Sequence, residues 1–466
     1  MTRSLAAALA LAPFWSACTG PSATDGTADA DADADTDSDT DTDSDADTDS
    51  DADADTDTDT DSDTGTGALL ASADVAVIAG TCVRLHEVRG GAGDGLGAGV
   101  VPVDDRDGDG AVDLAVSGAT ELRWMSRDGV VSAVLAGDPD RALASVDPAG
   151  DVDLDGVTDL RLTWRTPGSG GGGGSTTTGP GQDWTDLVSG TDGAAVLFTT
   201  DPALDDASAI PDRDGDGVPE LAVARDGALD VVNRVTGAIG PSSTPADGGF
   251  GFSNLAVASL DPDPDPELVI GGLFLVRGIE LDGAERWTVD GGGATFGGPV
   301  VPVGDLDGDG IEDLVAGDAL AFPQGAVHAV SGATGGRLWS DPYLYGIAAV
   351  DGAGAGTTYG TAIADAGDWT GDGVHEVIAA GDHDEFVFAG FGGAVRVLDG
   401  ATGAVLVELR ELSGGLSAGS KLGSAVAVVP DEDGDGLPEL VIGLVGAPSV
   451  AGDPNAGAVA TLACAP

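Results

Sequence analysis

From about Ala68 onward, short apolar runs rich in Val, Ala, Leu and Ile alternate with breaks made of Gly or Asp, and no long stretch shows a helical apolar period. Runs of that length, bounded by turn residues, predict strands. The runs recur in a fixed phrase. One strand enters an acidic cluster, as in GGPVVPVGD (Gly297 to Asp305) or GSAVAVVPD (Gly423 to Asp431). A second leaves it, as in DLVAG or ELVIG. A third follows a glycine, as in GAVHAVSGATG (Gly325 to Gly335) and GAVRVLDGATG (Gly393 to Gly403), and a fourth comes after that turn, as in RLWS or AVLVEL. The Asp-Gly and Thr-Gly pairs suit tight hairpins.

The acidic cluster serves as a ruler. It begins at Asp105, Asp151, Asp212, Ser259, Asp305, Asp368 and Asp431, with spacings of 46, 61, 47, 46, 63 and 63 residues. The 399 residues from 68 to 466 give 57 per unit. Four short strands in each unit of that period predict an all-β fold, a seven-bladed β-propeller of four-stranded antiparallel blades. The last unit ends after its third strand, GAVATLAC (Gly457 to Cys464). Thr81 to Val88 (TCVRLHEV), just before the first unit, has strand character and is expected to complete it. That pairing would bring Cys82 toward Cys464, for which a disulfide or two free thiols are the alternatives.

Two segments precede the repeats. Arg3 and the apolar Leu5–Trp15 run, too short to span a bilayer, form an export signal over residues 1–18. WSAC, ending at Cys18, resembles a bacterial lipoprotein signal, whose cysteine becomes lipidated; Trp15 departs from the usual Leu, and cleavage near Ala17 is the alternative. Residues 19–67 are an Asp-rich linker in which every odd position from Asp29 to Asp63 is Asp. Like charges two apart keep such a chain extended, with a reach of order 100 Å. It reads as a disordered stalk, with a loose calcium buffer as the alternative. Gly168 to Ser175 (GSGGGGGS) reads as a long loop inside the propeller.

Charge narrows the function. With 81 acidic and 18 basic residues the net charge is −63, which disfavours nucleic acid and anionic membrane surfaces. The cluster reads D-x-D-x-D-G-x-x-[DE], with side-chain oxygens at positions 1, 3, 5 and 9. Carboxylates so close repel one another unless a hard cation lies among them, and Ca²⁺ suits flexible oxygen-rich loops better than Mg²⁺. An EF-hand is excluded, because position 12 is Val116, Ala316 or Ile442 and strand follows.

The repeats are similar to the FG-GAP repeats of integrin α-subunit propellers and their bacterial relatives. The namesake dipeptide stands as Phe296-Gly297, Tyr359-Gly360 and Leu422-Gly423, and the second half as Gly446-Ala447-Pro448, with Gly118-Ala119 as an echo. The resemblance implies calcium between the first two strands of each blade, and ligand binding from the opposite face. The implied metal sets are Asp105, Asp107, Asp109, Asp113; Asp151, Asp153, Asp155, Asp159; Asp212, Asp214, Asp216, Glu220; Asp305, Asp307, Asp309, Asp313; and Asp431, Asp433, Asp435, Glu439. The sixth, Asp368, Thr370, Asp372, Glu376, is expected to bind more weakly. The fourth offers Asp261, Asp263 and Glu267 behind Ser259, with Pro264 where Gly belongs. Acidic turns without metal are the alternative at each.

No enzyme is expected. Gly415 to Gly419 (GLSAG) matches a nucleophile elbow, but a strand follows where that motif needs a helix. His383 between Asp382 and Asp384 reads as a solvated turn, His375 lies in a calcium loop and His328 on a strand. The expected role is a calcium-dependent binding or adhesion module at the cell surface, with an unknown protein or glycan as ligand and membrane contact only through Cys18. The alternatives are a structural surface protein without a ligand, and an extracellular hydrolase or lyase with its site in the central channel.

Overall fold

The computed structural model describes residues 69–70, 75–106, 108–137, 142–165, 183–191, 196–199, 206–225, 228–233, 239–243, 252–272, 274–291, 295–319, 321, 325–342, 358–382, 393–411, 419–453 and 455–466. The export signal, Cys18, the Asp-rich linker, GSGGGGGS, Asp107, Ser417 and His383 lie outside them. Residues Thr64–Pro466 form one compact unit.

That unit is a seven-bladed β-propeller of antiparallel four-stranded blades. Blade 1 is built from Gly99–Val103, Asp113–Ser117, Glu121–Met125 and Val131–Ala136, and blade 2 from Ala142–Gly150, Asp159–Arg165, Asp183–Val188 and Val196–Thr199. Blade 3 comprises Asp206–Ile210, Glu220–Arg225, Ala228–Val232 and Ile239–Ser243; blade 4 comprises Phe252–Ala258, Glu267–Gly272, Leu275–Ile279 and Glu285–Asp290. Blade 5 takes Val300–Pro302, Leu314–Asp318, Ala326–Val330 and Arg337–Pro342; blade 6 takes Ala362–Gly367, Glu376–Gly381, Ala394–Leu398 and Val405–Glu411. Blade 7 has Leu422–Val429, Glu439–Leu444 and Ala458–Ala465. The first strands touch one another in sequence around the ring, and that of blade 7 touches that of blade 1.

Burial explains the apolar pattern. The second strands of blades 1, 4, 5, 6 and 7 are buried at every residue, because a neighbouring blade covers each face. They therefore read as continuous apolar runs, whereas the outer strands Val131–Ala136 and Glu285–Asp290 alternate. The core is correspondingly divided among the seams. Val101 and Leu160 share a cluster between blades 1 and 2, Val315 and Val377 one between blades 5 and 6, and Leu114 and Val441 one between blades 1 and 7.

Glycine makes the seams close. A Cβ on Gly317 of blade 5 would lie 2.0 Å from the Gly360 carbonyl of blade 6, and one on Gly443 of blade 7 would lie 2.1 Å from the Gly97 carbonyl of blade 1. Phe296, Tyr359 and Leu422 of the expected dipeptides are fully buried there. Leu96-Gly97 fills the same role in blade 1, with Leu96 buried and bridged to Gly457 of blade 7.

Tryptophans tie neighbouring blades. Trp287 Nε1 in the fourth strand of blade 4 donates to the Gly332 carbonyl in the turn of blade 5 at 2.7 Å. Trp339 Nε1 of blade 5 repeats this on Gly400 of blade 6 at 2.6 Å. Trp339→Phe keeps a six-membered aromatic ring and removes the donor to that carbonyl, so a loss of about 1–2 kcal/mol is expected. The denaturant midpoint measures it, and an unchanged midpoint would remove the tie from the account.

Ring closure uses the N-terminal arm. Thr81–Arg89 pairs antiparallel with Ala458–Ala465 as the fourth strand of blade 7, and Cys82 stands opposite Cys464 in the register. Their sulfurs are bonded at 2.06 Å. One strand was not foreseen. Val75–Ala79 pairs with Val405–Glu411 as a fifth, outer strand of blade 6. Gly80, with φ +71°, turns the chain from blade 6 to blade 7, and a Cβ there would meet the Ala465 carbonyl at 2.7 Å.

Candidate metal centre

The acidic loops join the first strand of each blade to the second, and position 9 opens the second strand or, in blade 5, stands immediately before it. That carboxylate is buried throughout: Asp113, Asp159, Glu220, Glu267, Asp313, Glu376 and Glu439 are each at most 3% exposed. It anchors the loop by accepting the backbone N–H of position 2. Leu306 N reaches Asp313 Oδ2 at 2.8 Å, Val152 N reaches Asp159 at 2.7 Å, and Arg213 N reaches Glu220 at 2.7 Å.

Position 1 organises the turn. Asp305 accepts the N–H of Gly308 at 2.7 Å and of Gly310 at 2.8 Å, through its two oxygens. Asp105, Asp212, Asp368 and Asp431 make the same pair of bonds from positions 4 and 6. Those positions have positive φ, +80° at Gly308 and +86° at Gly310. Glycine at position 4 thus serves the turn as much as the glycine at position 6 that the sequence motif marks. In blade 2 position 4 is Leu154, held at φ +64° and more than half exposed. An L-residue there costs about 1–2 kcal/mol, and glycine returns about 0.5–1 in backbone entropy. Leu154→Gly is therefore expected to raise stability by roughly 0.5–1 kcal/mol, measured as a shift of the urea midpoint; a lower midpoint would contradict the strain.

Held this way, the carboxylates converge. Single oxygens of Asp151, Asp153 and Asp159 lie within 4.8 Å of one another, as do those of Asp305, Asp307 and Asp313, of Asp431, Asp433 and Glu439, and of Asp212, Asp214, Asp216 and Glu220. Among the described residues, position 5 joins the set only in blade 3. Asp155, Asp309 and Asp435 stand outside their sets, and each accepts the N–H of position 7. Asp109 and Asp372 make the same bond in blades 1 and 6. In blade 6 the position-3 hydroxyl of Thr370 contacts Glu376 Oε1 at 3.4 Å, and Asp368 anchors the turn. In blade 4 the converging group is Asp261, Glu267 and Glu280; Asp263 instead accepts the N–H of Asp265.

The electrostatics record the crowding. Burial, and then the charge of Asp307, push the Asp313 carboxyl up to about 6, against the N–H bonds of Gly332 and Leu306. Burial raises Asp159, with Asp153 adding to it; Glu376 is raised likewise beside Asp372 and Asp368, and Glu439 beside Glu432 and Asp433. A hard divalent cation coordinated by those oxygens would remove that repulsion. The donor sets of blades 2, 3, 5 and 7 fit such an ion.

Other groups at the loops come from outside the motif. Asn233 Nδ2 donates to Asp214 at 2.6 Å and to Asp216 at 3.2 Å, and the amides of Gly190 and Gly332 bond Asp159 and Asp313. Asn233 directly follows the third strand of its blade. Ser126, Ser189, Glu280, Ser331 and Asp399 occupy the same place in theirs, so a polar residue after the third strands of blades 1 to 6 was the available signal. Neighbouring loops also touch, with Ser259 N of blade 4 donating to Glu312 of blade 5 at 2.8 Å.

Of the histidines, His375 contacts Asp365 at 2.9 Å. His328 meets the Ser340 hydroxyl at 2.7 Å inside blade 5, where burial lowers the imidazole to about 4 and keeps it neutral.

No family model and no curated protein sequence matches the chain. Its fold is similar to that in the crystal structure of BBS1N in complex with ARL6DN, soaked with lead, with a TM-score of 0.50 and 14% identity over 84% of this chain and 98% of that one. The V. cholerae biofilm matrix protein Bap1 aligns with a TM-score of 0.43 and 14% identity over 82% of this chain and 91% of that one. The first likeness shows the propeller fold.

Proposed function

We propose that the chain is an exported calcium-binding propeller of the FG-GAP kind, acting as a binding or adhesion module at the cell surface. The observation that carries this reading is the repeated convergence of carboxylate oxygens within 4.8 Å at one place in blades 2, 3, 5 and 7. Scattered surface charge would not recur at the same register with the same backbone anchors. Asp151, Asp153 and Asp159, and their equivalents in the other three blades, would hold the ions. Calcium would supply charge neutralisation and a cross-link between the two inner strands of each blade, not chemistry on a substrate.

Affinity of order 10⁻⁴ to 10⁻³ M, usual for extracellular modules, is expected. Lipid on Cys18 would anchor the chain, and the acidic linker would hold the propeller away from the envelope. The ligand we propose is a protein or glycan bound on the face opposite the calcium loops. A propeller of similar fold, BBS1N, was crystallised in complex with ARL6DN. The reading is non-enzymatic. Calcium titration calorimetry against Mg²⁺, followed by protein and glycan arrays with and without calcium, tests it. Absence of calcium heats at millimolar concentration overturns the metal reading, and arrays blank in both conditions favour a purely structural surface protein.

A further inference from the structure

We propose that blade 4 carries its cation within its own chain: the Arg286 guanidinium takes the place that a metal ion holds in the loops of blades 2, 3, 5 and 7. This rests on the calcium reading for those other loops. Arg286 Nη1 donates to Asp261 Oδ2 at 2.6 Å and to Glu280 Oε1 at 2.5 Å, and Nη2 donates to the Leu260 carbonyl at 3.2 Å. Asp261 is position 3 of the loop and Leu260 is position 2. Two of the three converging carboxylates of this blade are thus bonded to one guanidinium.

The loop has lost the parts that build the metal turn elsewhere. Position 1 is Ser259, which has no carboxylate to accept two amides. Positions 4 and 6 are Pro262 and Pro264. Proline has no N–H to donate, and its φ is fixed near −65°. The corresponding glycines of blade 5 stand at +80° and +86°. The turn of the other loops is closed to this sequence, and the cation arrives from the fourth strand instead.

The arginine is particular to this blade. In blades 1 to 6 a bulge ends the third strand, and Arg286 follows the residue paired with the last one, Ile279. The same register position holds Ser132 in blade 1, Gly240 in blade 3, Leu338 in blade 5 and Leu406 in blade 6. Glu280 likewise replaces the Ser or Asn that follows the third strand in blades 1, 2, 3 and 5. Acid and base thus stand together in this blade at positions that are neutral in blades 1, 3 and 5. Glu267 Oε1, buried and without a hydrogen-bond partner, is the remaining oxygen of the group. A divalent ion there would have to displace the guanidinium from both carboxylates.

Two measurements on the full chain test the proposal. Native mass spectrometry in millimolar calcium counts bound ions in the wild type, Glu267→Gln and Asp261→Asn. The expected count is the same in all three; one ion fewer in either variant places metal in blade 4 and overturns the proposal. A double-mutant cycle of Arg286→Met and Glu280→Gln, read as melting temperature in excess chelator, tests the internal pair without metal. Each single change is expected to lower the melting temperature by a few degrees, and the double change by less than their sum. Additive losses overturn the proposal. A wild type that binds no calcium at all defeats the reading of the other loops, and the cycle then decides blade 4 by itself.

Discussion

In calcium at tenfold excess over its dissociation constant, the propeller melts about 7 °C higher than the same chain in excess chelator. Each of the four loops with convergent carboxylates adds roughly 1.4 kcal/mol under that condition, or about 6 kcal/mol together. Unfolding a unit of this size releases on the order of 0.8 kcal/mol per degree, which converts the gain into the stated shift. The gap also depends on pH, with a sign set by Asp313. Its carboxyl lies at about 6 in the metal-free fold against 3.8 in the unfolded chain. Between those values the native chain holds the extra proton, so stability in chelator falls as pH rises through this window. Calcium needs the ionised form, so its contribution fades as pH falls through the same window. The two melting curves therefore converge on acidification from neutral pH toward about 4. Scanning fluorimetry with and without chelator across that range measures both effects. Coincident curves at neutral pH would contradict metal in the loops.

The Cys82→Ala/Cys464→Ala pair is expected to lose up to about 6 kcal/mol, the chain-entropy value of a bond closing a loop of this length. The bond joins residues 382 apart and encloses every blade. It also sits where the ring is topologically weakest, since blade 7 borrows its fourth strand from the other end of the chain. Without it, Thr81–Arg89 can peel from Ala458–Ala465, opposed by the ladder hydrogen bonds, the packing of Val88 on the seam with blade 1, and Val75–Ala79 on blade 6. The variant should melt several degrees lower than the oxidised wild type in the same calcium. Two free thiols in the wild type under non-reducing mass spectrometry, or equal melting points, would remove the bond from the account.

The blades themselves were legible because their signals are local. DLVAG and ELVIG read as strands since each residue of a second strand faces a neighbouring blade. The loop was legible because carboxylates at alternate positions, followed by one at position 9, mark an oxygen-rich turn between two strands. The closing strand could be inferred because blade 7 lacked a partner and TCVRLHEV lay unassigned.

Other features left no local trace. Val75–Ala79 looks like any short apolar run, and its partners in Val405–Glu411 lie more than three hundred residues away. Leu154 gives no hint of its positive φ, which the loop's backbone bonds impose. Arg286 lies 25 residues from Asp261, and nothing between them announces that they meet.

From the amino-acid order alone followed the strand period, the number of blades and the acidic turns, because hydrogen bonding and charge repulsion over a few residues decide them. Only the folded ring decided which oxygens converge, which blade takes an arginine as its cation, and how the N-terminal arm divides between blades 6 and 7. Those depend on distances across hairpins and seams, which exist only once neighbouring sheets pack against each other.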